Sequence, residues 1–133
     1  MIRKNVRGVD VVRKNLRESH QNYGVLFQRG LKKATKFLFD RTQEVVPVDN
    51  GDLKASGVWV VEGDGFEAVG SISYLIFYAV YVHENLENFH PNGQAKYIEG
   101  PVREYRFVTV KIILDEMKKS RDAKGRFKKV PKR

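Results

Sequence analysis

The chain has 133 residues, a formal net charge of +9 and no cysteine. This length suffices for one domain, and the lack of cysteine excludes disulfides, thiol catalysis and cysteine-ligated zinc. No apolar run reaches membrane-spanning length, and the first residues, MIRKNVRGVDVVRKN, lack the apolar core of a signal peptide, so we expect a protein assembled in the cytosol.

The positive charge lies at the two ends of the chain. Residues 1–17 carry +5 and residues 118–133 carry +8, which leaves −4 for residues 18–117. We therefore expect a basic N-terminal arm (1–8), one slightly acidic domain (9–117) and a basic tail (118–133). This pattern indicates charged arms that reach a partner rather than a basic groove on a folded face.

The first predicted element is a long helix from about Val9 to Val45. Apolar residues recur in steps of four and seven, which keeps them on one helical face: Val12, Leu16, Tyr23, Phe27, Ala34, Leu38 and Val45. Gly24 and Gly30 lie inside the pattern, so the sequence leaves open one long helix or two helices in line with a kink or break between Asn22 and Gly30.

The stretch PVDNGDLKAS, residues 47–56, has the composition of a turn. Pro47 cannot continue the helix, and it favours extended geometry for the residue before it. Asp49, Asn50 and Asp52 can bond nearby backbone amides, and Gly51 can supply a positive φ. We predict a sharp corner between helix and sheet rather than a calcium site, because the spacing does not fit an EF-hand loop.

Short β-branched runs follow the turn. Residues 58–61 and 66–73 alternate as two strands joined by a turn at Gly63, Asp64 and Gly65. The continuous run YLIFYAVYVH, residues 74–83, is predicted as a third strand, buried on both faces or covered by a partner on one. The expected fold class is α+β, with the long helix packed on a small antiparallel sheet.

Residues 84–100 read as a long loop, and Pro101 suits the first turn of a second helix that extends to Lys119. The predicted inward-facing side chains of this helix are Val102, Val110, Ile113, Leu114 and Met117. The tail after it has no core-forming pattern.

Candidate chemistry is sparse. His83, Glu87 and His90 would share a face if they were helical, but the segment reads as a loop and lacks an H-E-x-x-H pattern, so we predict no metal site and no cofactor. No phosphate-binding loop or nucleophile motif is present, and we predict a protein that is not an enzyme.

The basic tail favours contact with a partner protein or with the DNA backbone, and the sequence leaves both open. Its predicted contact residues are Lys118, Lys119, Arg121, Lys124, Arg126, Phe127, Lys128, Lys129, Lys132 and Arg133. Sequence-specific DNA reading is not expected, since no recognition-helix motif accompanies the charge.

Three motifs, in order, resemble the tail-component and minor-capsid family of tailed bacteriophages. VPVDNGDLKAS at 46–56 is similar to the family's V-P-V-D-[TN]-G-x-L-[RK]-x-S, and YAVYVHE at 78–84 is similar to its Y-A-x-Y-V-x segment. PNGQAKYIEGP at 91–101 fits the late [FY]-[IL]-x-x-[PA] motif. The family's Y-V-x-[FY]-G-T form differs here, where residues 81–86 read YVHENL.

The resemblance implies a structural virion protein in the head-to-tail connector, neck or tail-completion ring. It implies a homo-oligomeric ring, hexameric or dodecameric, that contacts portal, adaptor, tail-tube or terminator proteins in the virion and has no membrane partner. The predicted subunit interface comprises Tyr78, Tyr81, His83, Phe89 and Tyr97. The alternative function is a small DNA-binding protein that uses its basic tail.

Overall fold

The structure, a computed structural model, describes residues 8–48, 51–86, 93–120 and 126. Its order of elements is α1 (Val9–Val45), α2 (Asp52–Ala55), β1 (Gly57–Glu62), a 3-10 turn (Gly65–Glu67), β2 (Val69–Tyr74), α3 (Ala79–Glu84), α4 (Glu99–Glu104), α5 (Arg106–Met117) and a 3-10 turn (Lys118–Ser120). The expected α+β class is confirmed: α1 packs on a two-stranded antiparallel sheet and on the C-terminal helix.

Helix α1 is continuous for 37 residues, and its glycines mark close approaches to other elements. A Cβ on Gly24 would lie 3.2 Å from Gly65 Cα, and one on Gly30 would lie 2.8 Å from Ile113 Cα. Both glycines are buried. Of the two alternatives, the one long helix is therefore confirmed, and the glycines allow the hairpin turn and α5 to pack directly on the α1 backbone.

The predicted hairpin is confirmed. β1 pairs with β2 in the register Gly57↔Tyr74 to Glu62↔Val69. One face, which includes Trp59 and Ile72, lies toward α1, where the Thr35 side chain contacts Gly70 so closely that a Cβ there would lie 2.2 Å from Thr35 Oγ1. The other face is turned away from α1 and is exposed.

The core lies at the C-terminal end of α1, where the turn meets three other segments. It is formed by Val46, Leu53, Ala79 and Tyr97. Val46 is extended (φ −62°, ψ 133°), as expected for a residue before proline, and Gly51 has φ 89° at the start of α2. Gly93 lies against Pro47, and Gln94 N donates to Val45 O at 2.9 Å. Asp49 and Asn50 lie outside the described residues.

The predicted third strand is wrong. After β2 the chain turns, and residues 79–84 form helix α3. Ala79 is buried in the core, while several apolar neighbours point outward. A continuous apolar run has no period that separates a buried strand from a short helix buried on one face.

The predicted C-terminal helix is present but is divided at Tyr105 into α4 and α5, and α4 begins two residues before Pro101. Its orientation also differs from the prediction: Ile113 and Met117 are half-buried, but Val102, Val110 and Leu114 are exposed. The face on α1 includes Glu116 and Ser120, both buried. Polar residues occupy this face because the lysines of α1 and the last turn neutralise Glu116.

Candidate subunit-contact surface

An exposed apolar surface covers the outer side of α3 and the turn before it. We call it the α3 patch, and it consists of Leu75, Phe77, Val80, Tyr81 and Leu86. Phe77 is 94% exposed, and the other four are more than half exposed. Large apolar side chains grouped in this way on a folded surface indicate a contact site for another macromolecule.

The inner side of α3 fixes this patch in place. Ala79 packs with Val46, Leu53 and Tyr97, and the Tyr97 hydroxyl donates to Ala79 O at 3.0 Å. Phe77 is outside the core and contacts Tyr78 edge to face, with 5.2 Å between ring centroids. The patch is therefore held by the core of the protomer and does not contribute to it.

The predicted interface residues separate into two groups. Tyr81 is exposed in the α3 patch, and Tyr78 is half-buried at the start of α3. Tyr97 is 1% exposed, so it is a core residue and its prediction as an interface residue is wrong. His83 is largely covered, and Phe89 lies outside the described residues.

Tyr97 is enclosed by aromatic rings. Its ring meets those of Tyr74 and His83 edge to face, each at 5.0 Å between centroids. Burial raises the pKa of Tyr97 to about 12, and the nearby Tyr74 adds to the effect. Its hydroxyl is a neutral hydrogen-bond donor at physiological pH, which is a structural role and not an acid/base one.

A polar network joins the end of α3 to α4. His83 Nδ1 lies 2.8 Å from Glu84 Oε1, and Glu84 Oε2 pairs with Lys96. Lys96 also lies 3.3 Å from Glu99, whose other oxygen accepts from Arg103 at 2.6 Å. The hydrogen bond from Lys96, with a further one from His83, lowers the pKa of Glu84, and the same Glu84 bond raises that of Lys96.

Both ring nitrogens of His83 have partners. Glu99 N donates to Nε2 at 3.4 Å, so Nδ1 is the protonated nitrogen that donates to Glu84. Within the described ranges, no group of three His, Asp or Glu side chains is placed to hold a metal ion. Glu87 and His90 lie outside those ranges.

The beginning of the basic tail is packed against the folded body. Lys119 Nζ lies 2.9 Å from Glu116 Oε2, Lys118 lies 3.8 Å from Asp115, and Ser120 is 1% exposed. Of the other predicted tail residues, Arg126 is described and exposed. The remainder lie outside the described residues: Arg121, Lys124, Phe127, Lys128, Lys129, Lys132 and Arg133.

A groove of about 1200 Å³ runs between α1 and the tip of the hairpin. Gln28 of α1 closes one side, since its side chain donates to Gly63 O at 3.1 Å and accepts from Gly65 N at 3.2 Å. Phe66 packs beside His20 and Phe27, with ring centroids 5.2 and 5.4 Å apart. The walls of the groove carry both basic and acidic side chains, including Lys32 and Asp64.

The sequence placed Leu75 and Phe77 in a run that is buried or covered by a partner, but a continuous apolar run does not show which of its side chains the protomer leaves exposed. Within the described ranges, no helix is both long enough and apolar enough to cross a membrane.

Comparison with protein-family models, with curated proteins and with solved structures found no match.

Proposed function

We propose that this chain is a structural subunit of the ring that joins the head of a tailed phage to its tail, at the connector, neck or tail-completion level. The observation that carries the proposal is the α3 patch. Tyr81 lies in the segment that resembles the family's Y-A-x-Y-V-x motif, and Phe77 immediately precedes that segment. Both are exposed, Tyr81 on helix α3, whose other side is buried, and Phe77 in the turn before it.

A ring subunit needs two different contact surfaces, because each subunit meets its neighbours head to tail. The α3 patch supplies one apolar surface. Phe107, Val110 and Leu114 on α5 and the outer valines of β1 are further exposed apolar groups. Such a distribution suits a protomer that buries several faces only on assembly, and the virion neck is the proposed location.

The test is the mass of the purified chain in solution, measured by light scattering for the full chain and for a variant that ends at Ser120. The truncation keeps Lys119 and Ser120 because both pack against α5. We expect a ring-sized mass in both forms, which places the subunit contacts in the folded body. A chain that stays monomeric and binds no portal or tail protein contradicts the proposal.

The second candidate function is DNA binding, which the +8 charge of residues 118–133 favours. Neutralising several phosphates makes affinity fall steeply with salt. The same Ser120 truncation is the control: DNA affinity that disappears with the tail, in a chain that remains monomeric, would select this function over the ring.

A further inference from the structure

The first ten residues of α1 form a helical overhang, which we define as Val9–Glu18. Every residue in it is exposed, and Val12 and Leu16 are 58% and 66% exposed. Its N-cap is Gly8, which has no side chain to cap the helix. Most helical stability in proteins comes from the packing of an apolar face, and the exposed apolar face of this segment suits packing on a partner.

The overhang is amphipathic. Val9, Val12 and Leu16 follow the spacing i, i+3, i+7 and share one face. Arg13 and Arg17 lie along one flank of that face. A surface that receives this helix must therefore be apolar at its centre and acidic nearby.

The outer face of the hairpin has these two properties. It carries Val58, Val60 and Val69, which are exposed, together with Glu62. The hairpin segment, residues 57–74, contains three acidic residues, Glu62, Asp64 and Glu67, and no lysine or arginine. Its six-residue strands are about 20 Å long, and the ten-residue overhang is about 15 Å long, so the two lengths match.

The overhang of a chain cannot reach its own outer hairpin face. The hairpin turn packs on α1 at Gly24 and Phe27, and the continuous helix carries the overhang beyond that point. The outer stripe of α5 is a poorer acceptor, since Arg106 and Lys111 flank it and would repel a basic helix. The basic tail is also a poor acceptor for the overhang, because its lysines and arginines would repel Arg13 and Arg17.

We propose that the overhang of one subunit docks on the outer hairpin face of a second copy of this chain. The apolar stripe covers the exposed valines, and Arg13 and Arg17 approach the acidic end of the hairpin. In the proposed ring this contact is heterologous, and it repeats from each subunit to the next. This inference rests on the proposed ring and identifies one of its contacts.

The test uses the lack of cysteine in the chain. Val12→Cys and Val60→Cys chains are prepared separately, mixed and oxidised mildly, and the disulfide-linked peptides are identified by mass spectrometry. The matched control replaces Val60→Cys with Val108→Cys, since these two valines are 45% and 42% exposed. We expect the yield of the disulfide-linked peptide from the Val12→Cys and Val60→Cys mixture to exceed that of the control mixture by about tenfold or more. Docking raises the local concentration of the two thiols.

The outcomes separate this inference from the proposed function. A ring-sized mass without a preferred link between these two chains overturns the docking site and leaves the ring. A monomeric mass without any link overturns both. A third mixture pairs Val60→Cys with Val130→Cys, and a preferred link in it would assign the hairpin face to the basic tail and also overturn the inference.

Discussion

Glu116 is a buried carboxylate at the interface of α1 and α5, held by one lysine from each side. Its Oε2 lies 2.6 Å from Lys33 Nζ and 2.9 Å from Lys119 Nζ. Burial tends to raise the pKa of Glu116, but the bonds from Lys119 and Lys33 outweigh it, and the pKa is lowered. The pair of lysines thus offsets part of the cost of burying this charge.

We expect Glu116→Gln to lower the free energy of unfolding by about 1–2 kcal/mol at neutral pH, because two charge-assisted hydrogen bonds become neutral ones and both lysines are partly solvated. Chemical denaturation measures the change. Asp115→Asn is the control on the same helix, since Asp115 is exposed and lies 3.8 Å from Lys118. An equal effect of both variants would contradict the role of Glu116.

The same pair predicts a pH dependence. The folded-state pKa of Glu116 lies below its ordinary value of 4.5, so its contribution to stability is present above pH 4.5 and is lost as the pH falls through the folded-state pKa. The stability difference between the wild type and Glu116→Gln should therefore shrink on acidification. Denaturation curves in a pH series check this, and a difference that persists in acid would show that it arises from packing.

The contribution of Tyr97 to stability depends on pH in the opposite direction to that of Glu116. We expect Tyr97→Phe to cost about 1 kcal/mol at neutral pH through loss of the bond to Ala79 O. The folded-state pKa of about 12 lies above the ordinary 10.0, so stability from the neutral phenol is present below pH 10 and is lost as the pH rises through 12. Over that pH range the free energy of unfolding of Tyr97→Phe should fall less steeply than that of the wild type. The control is Tyr81→Phe, at an exposed site, which should match the wild type.

At the scale of elements, the crossing of α1 and α5 depends on a missing side chain. A Cβ on Gly30 would lie 2.8 Å from the Cα and 3.1 Å from the carbonyl oxygen of Ile113, which are backbone atoms that move only with the whole of α5. In a helix interior, alanine is more favourable than glycine by about 1 kcal/mol. Overpacking of a core by an added methyl group costs about 1–3 kcal/mol.

We therefore expect Gly30→Ala to be destabilising by about 1 kcal/mol, with overpacking outweighing helix propensity. Asn15→Ala, at an exposed site of the same helix, is the control and should be neutral or slightly stabilising. Thermal unfolding compares the two. A stabilised Gly30→Ala would mean that α5 shifts without cost.

The same glycines show where sequence patterns succeed and fail. The period of α1 and the alternation of β1 and β2 were sufficient to predict those elements, because each repeats apolar residues along one face. From sequence alone, a glycine in a helix indicates a weak point. The backbones that Gly30 and Gly24 accommodate, at Ile113 and Gly65, are remote in the chain, so the packing role of these glycines is not visible in the local sequence. Likewise, the buried Glu116 could not be predicted, because its lysine partner Lys33 lies 83 residues away.

The candidate site was predicted in part. The turn chemistry of Pro47 and Gly51 followed from local composition. Tyr81 was predicted as an interface residue and its side chain is exposed, while the contact itself stays a prediction. The burial of Tyr97 was not, because the core forms where α1, the turn, α3 and residues 95–98 converge. The tail's contacts and Phe89 stay predictions, since they lie outside the described residues.

For the whole molecule, the charge and the exposed apolar side chains point to assembly through different surfaces. The folded body is slightly acidic, and both ends of the chain are basic. Neighbouring copies therefore attract when the end of one meets the body of the next, while like surfaces repel. The proposed ring would use such contacts between the end of one subunit and the body of the next.

The α3 patch gives the decisive variant at this scale. Phe77 is almost fully exposed, so Phe77→Ser removes no core contact and should leave the melting temperature of the protomer unchanged. If the patch is a subunit contact, losing a phenyl ring buried on assembly should weaken association by about tenfold or more. Light scattering over a dilution series measures that loss, and circular dichroism confirms the fold. Val102→Ser is the control, since Val102 is 42% exposed on α4 and belongs to none of the proposed contact surfaces. Unchanged association of Phe77→Ser would remove the α3 patch from the interface, and equal weakening by both variants would show general apolar adhesion instead of a defined contact.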